Sequence, residues 1–149
     1  MGECEIEITG KIPAAIGLDR RAVASAARFF ASKASRRAGR AFRTVSVVLQ
    51  DDAGSDAAHR AVMGVAGATD VITQPYDAMP GEAEGVYGEL CVNCERAVSL
   101  SRAGWPAAKE LLLYIAHGMD HLSGADDGKP ADRARMRRRE LGWLKECPC

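Results

Sequence analysis

The chain has 149 residues, 47% of them hydrophobic, and its 20 basic and 20 acidic side chains give a formal net charge of zero. This length and composition predict a single domain over residues 1–149 with a core of ordinary size, and no internal repeat or low-complexity tract divides it. The sequence shows neither a run of about eighteen apolar residues nor a signal peptide, so we expect a cytoplasmic protein without a membrane segment.

The first half of the chain alternates strand patterns with helix patterns. Apolar and acidic side chains alternate near the N-terminus, which is a strand pattern, and Asp19 is suited to the N-cap of a long helix. Ser55 is the candidate cap of a second helix, which follows a β-branched stretch. The predicted elements are a strand over 3–9, a helix from 19 to about 35, a strand over 44–50 and a helix from 55 to about 65.

The second half contains two more strand patterns and three helix patterns. Pro106 opens the clearest of these helices, because no further proline or glycine interrupts its apolar face before Gly118. Strands interleaved with helices favour an α+β fold in which about five helices cover one sheet. The predicted elements are strands over 69–73 and 89–93, a helix that ends near 103, a helix over 106–122 and a helix from about 131 to 145.

Two histidines lie one turn apart near the end of the helix that begins at proline. His117 and His121 stand at i and i+4, so their rings can reach one ion, as in zinc-binding helices. Gly124 can then take the left-handed conformation that reverses the chain, which brings Asp126 or Asp127 back as a third ligand. Three protein ligands leave one coordination position open, and sites of this kind are catalytic more often than structural.

Other interpretations of this segment compete with metal binding. Histidines one turn apart arise by chance, but the chain has three histidines in all and two of them fall in this frame. Asp120 could also face the site, although a place in solvent or a role in orienting a ligand fits its position better. Metzincin proteases share the spacing but carry a glutamate base directly after the first histidine, where this chain has Gly118.

Three sequence blocks follow one another in a fixed order along the second half of the chain. Thr69–Tyr76 reads T-D-V-I-T-Q-P-Y, Tyr87–Ala97 reads Y-G-E-L-C-V-N-C-E-R-A, and His117–Asp127 reads H-G-M-D-H-L-S-G-A-D-D. In this order they resemble the blocks T-D-V-[LI]-[ST]-F-P, L-G-D-I-V-I-S-x-E-x-A and H-G-x-x-H-L-x-G-x-D-H of the YbeY family of rRNA maturation endoribonucleases. The chain also has the length expected of that family.

The resemblance carries expectations about fold, metal and activity. It implies a mixed sheet of about four strands with one antiparallel member, and a zincin-like metal helix. It also implies that His117, His121 and Asp127 hold one Zn²⁺ or another divalent metal, without an organic cofactor. The implied activity is a zinc-dependent endoribonuclease that prefers single strands and acts in 16S rRNA maturation and ribosome quality control, with ribosomal RNA and small-subunit components as partners.

Two other functions stay open at this point, and no general base is identifiable. The first is a metal-stabilised ribosome-assembly factor that binds RNA without cutting it, and the second is a metalloprotease. The departures from the family pattern bear on this choice. Asp127 stands where the family usually has His, and a carboxylate is a competent zinc ligand. Met63 replaces a common Arg and Gln74 a common Phe, which concerns the substrate groove more than the metal.

The five cysteines offer a second possible site. Cys91 and Cys94 form C-x-x-C, and Cys147 and Cys149 form C-x-C, so the four could make a zinc site or the first pair could be redox-active. Strand alternation would turn Cys91 and Cys94 to different faces. We therefore expect thiols that mostly stay reduced, with Cys91 packed in the core.

The zero net charge hides an uneven distribution. Residues 19–43 carry eight Lys or Arg against one Asp, a net charge of +7, whereas residues 51–95 carry nine acids against one Arg, a net charge of −8. A third block, residues 133–139, is basic again with five arginines. Such segments either track a phosphate backbone or form solvated helix faces. The ribonuclease resemblance makes RNA contact the favoured interpretation.

Overall fold

A computed structural model describes residues 3–148, and four strands in this range form one mixed sheet. The strands are β1 (Glu5–Thr9), β2 (Phe42–Gln50), β3 (Val71–Tyr76) and β4 (Val86–Asn93). They are hydrogen-bonded in the order β1-β2-β4-β3. The β1–β2 and β2–β4 pairs are parallel, whereas β3 runs antiparallel to β4. The expected sheet with one antiparallel member is therefore confirmed.

Five α-helices accompany this sheet within residues 3–148, which confirms the α+β class. A short 3-10 turn over Ala14–Ile16 precedes the first of them. The helices are α1 (Arg20–Ala38), α2 (Asp52–Met63), α3 (Cys94–Ser99), α4 (Ala107–Leu122) and α5 (Pro130–Glu146). None of these helices combines the length and the apolar character that crossing a membrane requires.

Local signals place most helix ends correctly. Asp19 is the N-cap of α1, since its Oδ1 accepts a hydrogen bond of 2.8 Å from the Ala22 amide. Pro106 is the N-cap of α4. Gly124 has a φ of +97°, the left-handed backbone that was expected to reverse the chain after the histidines. The prediction for the helix over 106–122 is thereby confirmed to within one residue.

The predicted cap of α2 is wrong. Asp51 caps this helix, with its Oδ1 accepting from the Gly54 amide at 2.8 Å, and Ser55 lies one turn further in. The Ser55 hydroxyl is buried and bonds to both backbone groups of Thr69, donating to the carbonyl at 3.1 Å and accepting from the amide at 2.9 Å. Ser55 therefore joins α2 to the segment that leads into β3, a tertiary role that its local sequence does not reveal.

Other element boundaries also differ from the prediction by two or more residues. The helix expected to reach residue 103 ends at Ser99, where the Ser99 and Ser101 hydroxyls donate to carbonyls of its last turn at 3.0 and 2.7 Å. β3 runs past its predicted end, through Pro75 to Tyr76, because it is an edge strand and the missing proline N–H breaks no ladder. β4 begins three residues earlier than predicted.

Two glycines let α4 lie close against β4. A Cβ on Gly118 of α4 would lie 2.7 Å from Cδ2 of Leu90 on β4, a distance that side-chain carbons do not tolerate. A Cβ on Gly88 of β4 would likewise lie 2.6 Å from Cδ2 of Leu122 on α4. Each element therefore presents a glycine to a leucine of the other, and this mutual fit fixes where the histidines of α4 stand relative to the sheet.

Candidate metal centre

The two histidines of α4 and an aspartate of the following loop converge on one point. The Nε2 atoms of His117 and His121 are 3.1 Å apart. Oδ2 of Asp127 lies 3.3 Å from Nε2 of His121 and 3.7 Å from Nε2 of His117. All three side chains are partly exposed, and among residues 3–148 they form the one group of three or more potential ligands within reach of a single ion.

The spacing of these atoms fits a divalent metal. Ligands at about 2.1 Å around a tetrahedral ion stand roughly 3.4 Å apart, which is close to the three separations here. The Nδ1 atoms of both histidines face acceptors, which leaves the two Nε2 atoms, 3.1 Å apart, to share either a proton or a metal ion. The donor set therefore suits a cation, and its nitrogen and oxygen atoms suit a zinc-class ion.

Each histidine is oriented by a hydrogen bond on its far side. His117 Nδ1 lies 2.9 Å from both carboxylate oxygens of Glu140, which is buried in α5. His121 Nδ1 donates to the Ala125 carbonyl at 3.1 Å, in the turn that Gly124 creates. These contacts place the Nδ1 proton on the outer side of each ring and leave Nε2 for a metal. Histidines that bind metals in proteins are commonly oriented in this way, by an acceptor for the proton on the ring nitrogen that faces away from the metal.

Glu140 and His117 shift each other's proton affinity. Burial raises the pKa of the Glu140 carboxyl, and the hydrogen bond from His117 opposes this rise. Burial lowers the pKa of His117, but Glu140, Asp70 and Asp127 together outweigh that effect, so its pKa is raised. Sequence reasoning missed Glu140. A signal existed, because Met136, Glu140 and Trp143 share the buried stripe of α5 and a lone acid on such a stripe needs a partner.

Asp120 does not point to solvent, contrary to the first of its two expected roles. Its carboxylate is fully buried and accepts from Arg139 Nε at 3.1 Å and Nη2 at 2.9 Å, with Arg37 Nε at 3.4 Å. It is absent from the converging ligand atoms. The neighbouring charge of Asp120 also raises the pKa of Glu140, which connects this ion cluster to the residue that orients His117. Asp120 thus joins α1, α4 and α5 behind the metal centre.

A cavity of about 410 Å³ opens beside the converging ligands. Two family blocks meet here, because Asp70 from the first block faces the same space as the histidine motif. Met63 and Gln74, the two departures from the family pattern, are not among its lining residues, and Met63 is 62% exposed. The polar side chains of its wall are Asp70, Tyr114, His117, Asp127, Arg133, Arg137 and Glu140.

The middle block contributes through Asn93 at the end of β4. Its side chain is buried, caps α3 through the Arg96 amide at 3.1 Å, and donates to the Thr69 carbonyl at 3.1 Å. Since Thr69 precedes Asp70 directly, Asn93 holds in place the segment that presents Asp70 to the cavity. The three blocks therefore meet around the candidate centre.

Position 118 has no room for the glutamate that serves as the base in metzincin proteases. Its missing Cβ points at Leu90 of the sheet, so a glutamate there would be directed into the packing between α4 and β4. The geometry agrees with the absence of the protease base in the sequence.

The cysteines do not form a second centre within residues 3–148. Cys4, Cys91 and Cys94 are buried free thiols, and burial raises the pKa of each to about 11. Redox-active cysteines instead need a thiolate near neutral pH, so packing accounts for Cys91 and Cys94. Cys147 is disulfide-bonded. Cys149, which the four-sulfur alternative would also require, lies outside the described residues.

Comparisons with known proteins identify relatives of this chain. The family model described as Endoribonuclease YbeY matches residues 16–147. A relative from Rhodopirellula baltica named "Endoribonuclease YbeY" is 38% identical over 105 residues, 68% of this chain and 53% of that protein. One of the same name from Roseiflexus is 34% identical over 109 residues, 68% of each chain. The chain thus spans about half the length of the first of these relatives and two thirds of the second.

A solved structure shares the fold. The solution structure of a Thermotoga maritima protein superposes with a TM-score of 0.61 at 21% identity, covering 95% of this chain and 88% of the other. At this identity the similarity concerns the fold alone. The family match covers nearly the whole described range and includes every side chain of the candidate centre. The chain therefore belongs to the Endoribonuclease YbeY family.

Proposed function

We propose that this protein is a metal-dependent endoribonuclease whose metal is held by His117, His121 and Asp127. The convergence of these three ligand atoms beside a cavity with arginines in its wall carries the proposal. Two nitrogens and one oxygen in tetrahedral spacing favour Zn²⁺. The carboxylate in place of the family's third histidine also admits a more oxygen-tolerant divalent ion.

The residues around the ligands supply the rest of the chemistry. A bound divalent ion provides Lewis acidity, which activates water and stabilises negative charge on phosphoryl oxygens. Glu140 and the Ala125 carbonyl hold the histidine rings in the orientation that ligation needs. Asp70 accepts its hydrogen bonds through Oδ1, from the Val71 amide at 2.7 Å and the Thr69 hydroxyl at 3.3 Å. We propose that the other oxygen of this carboxylate, Oδ2, acts as the general base, which would accept a proton from the water that attacks the phosphodiester.

The proposed substrate is single-stranded RNA, within ribosomal RNA of the small subunit in the cytoplasm. Support comes from the relatives, which carry the name of an endoribonuclease, and from the arginines of the cavity wall. One observation favours the non-catalytic assembly factor instead: Met63 offers no cation where the family often has Arg. Cleavage distinguishes the two functions, because both would bind RNA.

The first prediction is slow, chelator-sensitive cleavage of single-stranded RNA. We expect the wild type, at a concentration near that of the substrate, to degrade the RNA and to lose this activity with a chelator. His117→Ala should be inactive, because it removes one ligand, and it also controls for contaminating ribonuclease. Casein should remain intact.

Two outcomes contradict the proposal. Bound but uncut RNA would favour the assembly factor. Casein cleavage that disappears in His117→Ala would show a protease.

A further inference from the structure

One wall of the cavity consists of a face of α5 that carries two arginines. Arg133 and Arg137 stand one turn apart, at i and i+4, and both line the cavity with Ala134 between them. One turn further along the same helix, Glu140 bonds to His117. The contact between Glu140 and His117 fixes the distance of these arginines from the candidate metal centre, because all three lie on one rigid helix.

Two arginines of α5 line the cavity, and they differ in their contacts. Arg133 Nη1 donates to the Asp127 carbonyl at 3.3 Å. Arg137, in contrast, makes no ion pair or side-chain hydrogen bond with residues 3–148, although its side chain borders a cavity that contains carboxylates. Its guanidinium donors are therefore available for a ligand.

Tyr114 also lines the cavity, one turn before His117 on α4, but its hydroxyl is not available to a ligand. The side chain is buried and its hydroxyl lies beside Glu110, and burial and this neighbour both raise the pKa of the phenol. The exposed guanidinium of Arg137 is therefore the donor of this wall that a ligand can reach without displacing a protein contact.

We propose that Arg137 forms a subsite for a phosphodiester of the RNA, next to the candidate metal centre. A guanidinium binds two phosphate oxygens with its paired N–H groups. The subsite rests on the function proposed above and deepens it. It provides a cation from α5, so that phosphate binding does not depend on position 63, where the side chain is an exposed methionine.

The test compares Arg137→Gln with Arg138→Gln, a control variant with the same loss of charge one residue further along α5. Arg138 is exposed, makes no contact with residues 3–148 through an ion pair or side-chain hydrogen bond, and does not line the cavity. The readout is the Kd for a single-stranded RNA oligonucleotide, measured by fluorescence anisotropy over a salt series. Metal content and melting temperature are measured for each variant.

We expect Arg137→Gln to weaken binding about tenfold at low salt and to reduce the slope of log K against log salt by about 0.7, the value for one lost phosphate contact. Arg138→Gln should change both quantities much less. Arg137→Lys should retain the slope.

The outcomes separate this inference from the proposed function. Equal effects of Arg137→Gln and Arg138→Gln, in a wild type that binds and cleaves RNA, would overturn the subsite and leave the nuclease standing. A wild type that does not bind RNA would overturn both. A loss of metal in Arg137→Gln would also contradict the subsite, since it would mean that the arginine supports the metal centre and does not contact the phosphate.

Discussion

His117 depends on a carboxylate that lies 23 positions later in the chain. Without Glu140, the Nδ1 proton of His117 would have no acceptor, and the ring could rotate or exchange tautomer. Glu140 in turn is buried and needs the imidazole as its partner. The two groups therefore stabilise each other, and the metal centre gains a ligand of fixed orientation.

This dependence predicts a loss of metal affinity in Glu140→Gln. The amide keeps the size of the side chain but not its charge, so we expect the affinity for Zn²⁺ to fall by about 10- to 100-fold. Competition with a chromophoric chelator measures it. Glu146→Gln is the control, because Glu146 lies on the same helix and pairs with Lys33 at the surface. Equal affinities of the wild type and Glu140→Gln would show that His117 does not need this partner.

The convergence of the three candidate ligands could be predicted from the sequence, but their surroundings could not. His117 and His121 lie on one helix, and Gly124 announces the turn that returns Asp127, so all the required information is local. Glu140 and Arg137 come to the site through the packing of α5 on α4, which no local pattern determines.

At the scale of elements, the position of α4 depends on the absence of two side chains. The space beside Gly118 is filled by the side chain of Leu90, which is itself fully buried. The glycine costs helix propensity, about 1 kcal/mol relative to alanine. The close approach of helix and sheet must offset that cost by the contacts that it permits.

Gly118→Ala should therefore destabilise the protein despite the better helix propensity of alanine. Overpacking typically costs about 1–3 kcal/mol, and we expect a net loss of roughly 1 kcal/mol in the free energy of unfolding. Gly142→Ala on α5 is the matched control, since a Cβ there meets nothing within 4 Å, and it should stabilise the protein. Urea denaturation measures both changes. A gain of stability in both variants would show that the space between α4 and β4 accepts a side chain at position 118.

Helix ends were predictable where one residue alone could serve, and not where two candidates competed. Asp19 and Pro106 have no rival nearby, and both are caps. Asp51 and Ser55 each offer a side-chain oxygen that could cap α2. In the structure Asp51 caps the helix, and the Ser55 hydroxyl instead bonds to the backbone of Thr69. The sequence predicts too early an end for β3, because proline is tolerated only in an edge strand. Whether a strand lies at the edge is a property of the whole sheet, which the local sequence does not show.

At the scale of the whole molecule, most of the basic side chains in residues 19–43 contact other parts of the protein. Arg20 donates to the carbonyls of Ile8 and Gly10, and Arg43 donates to the Glu84 carbonyl at 2.9 Å. The other members of this group with protein partners are Lys33, Arg37 and Arg40. Five of the eight cations in residues 19–43 thus hold elements together, so the charge of +7 overstates what this segment can offer to RNA.

Metal binding should stabilise the whole fold, because the ligands come together only in the native state. An ion at about 100 times its Kd adds roughly 2.7 kcal/mol, which corresponds to a rise of roughly 5–10 °C in Tm. Thermal denaturation with added Zn²⁺ and with chelator measures this shift, and mass spectrometry should find about one ion per chain. His121→Ala should show neither the shift nor the ion. An equal shift in that variant would place the metal elsewhere.

The reciprocal contact of Gly118 with Leu90 and of Gly88 with Leu122 restrains α4 in two directions at once. The contacts lie one turn apart on one face of the helix, at Gly118 and Leu122, so both rotation and sliding of α4 would disturb them. Hydrocarbon packing would therefore preorganise the candidate ligands of α4 before a metal binds. Loading and release of the metal should then leave the helix backbone in place, and the entropic cost of assembling the centre falls mainly on the short loop that carries Asp127.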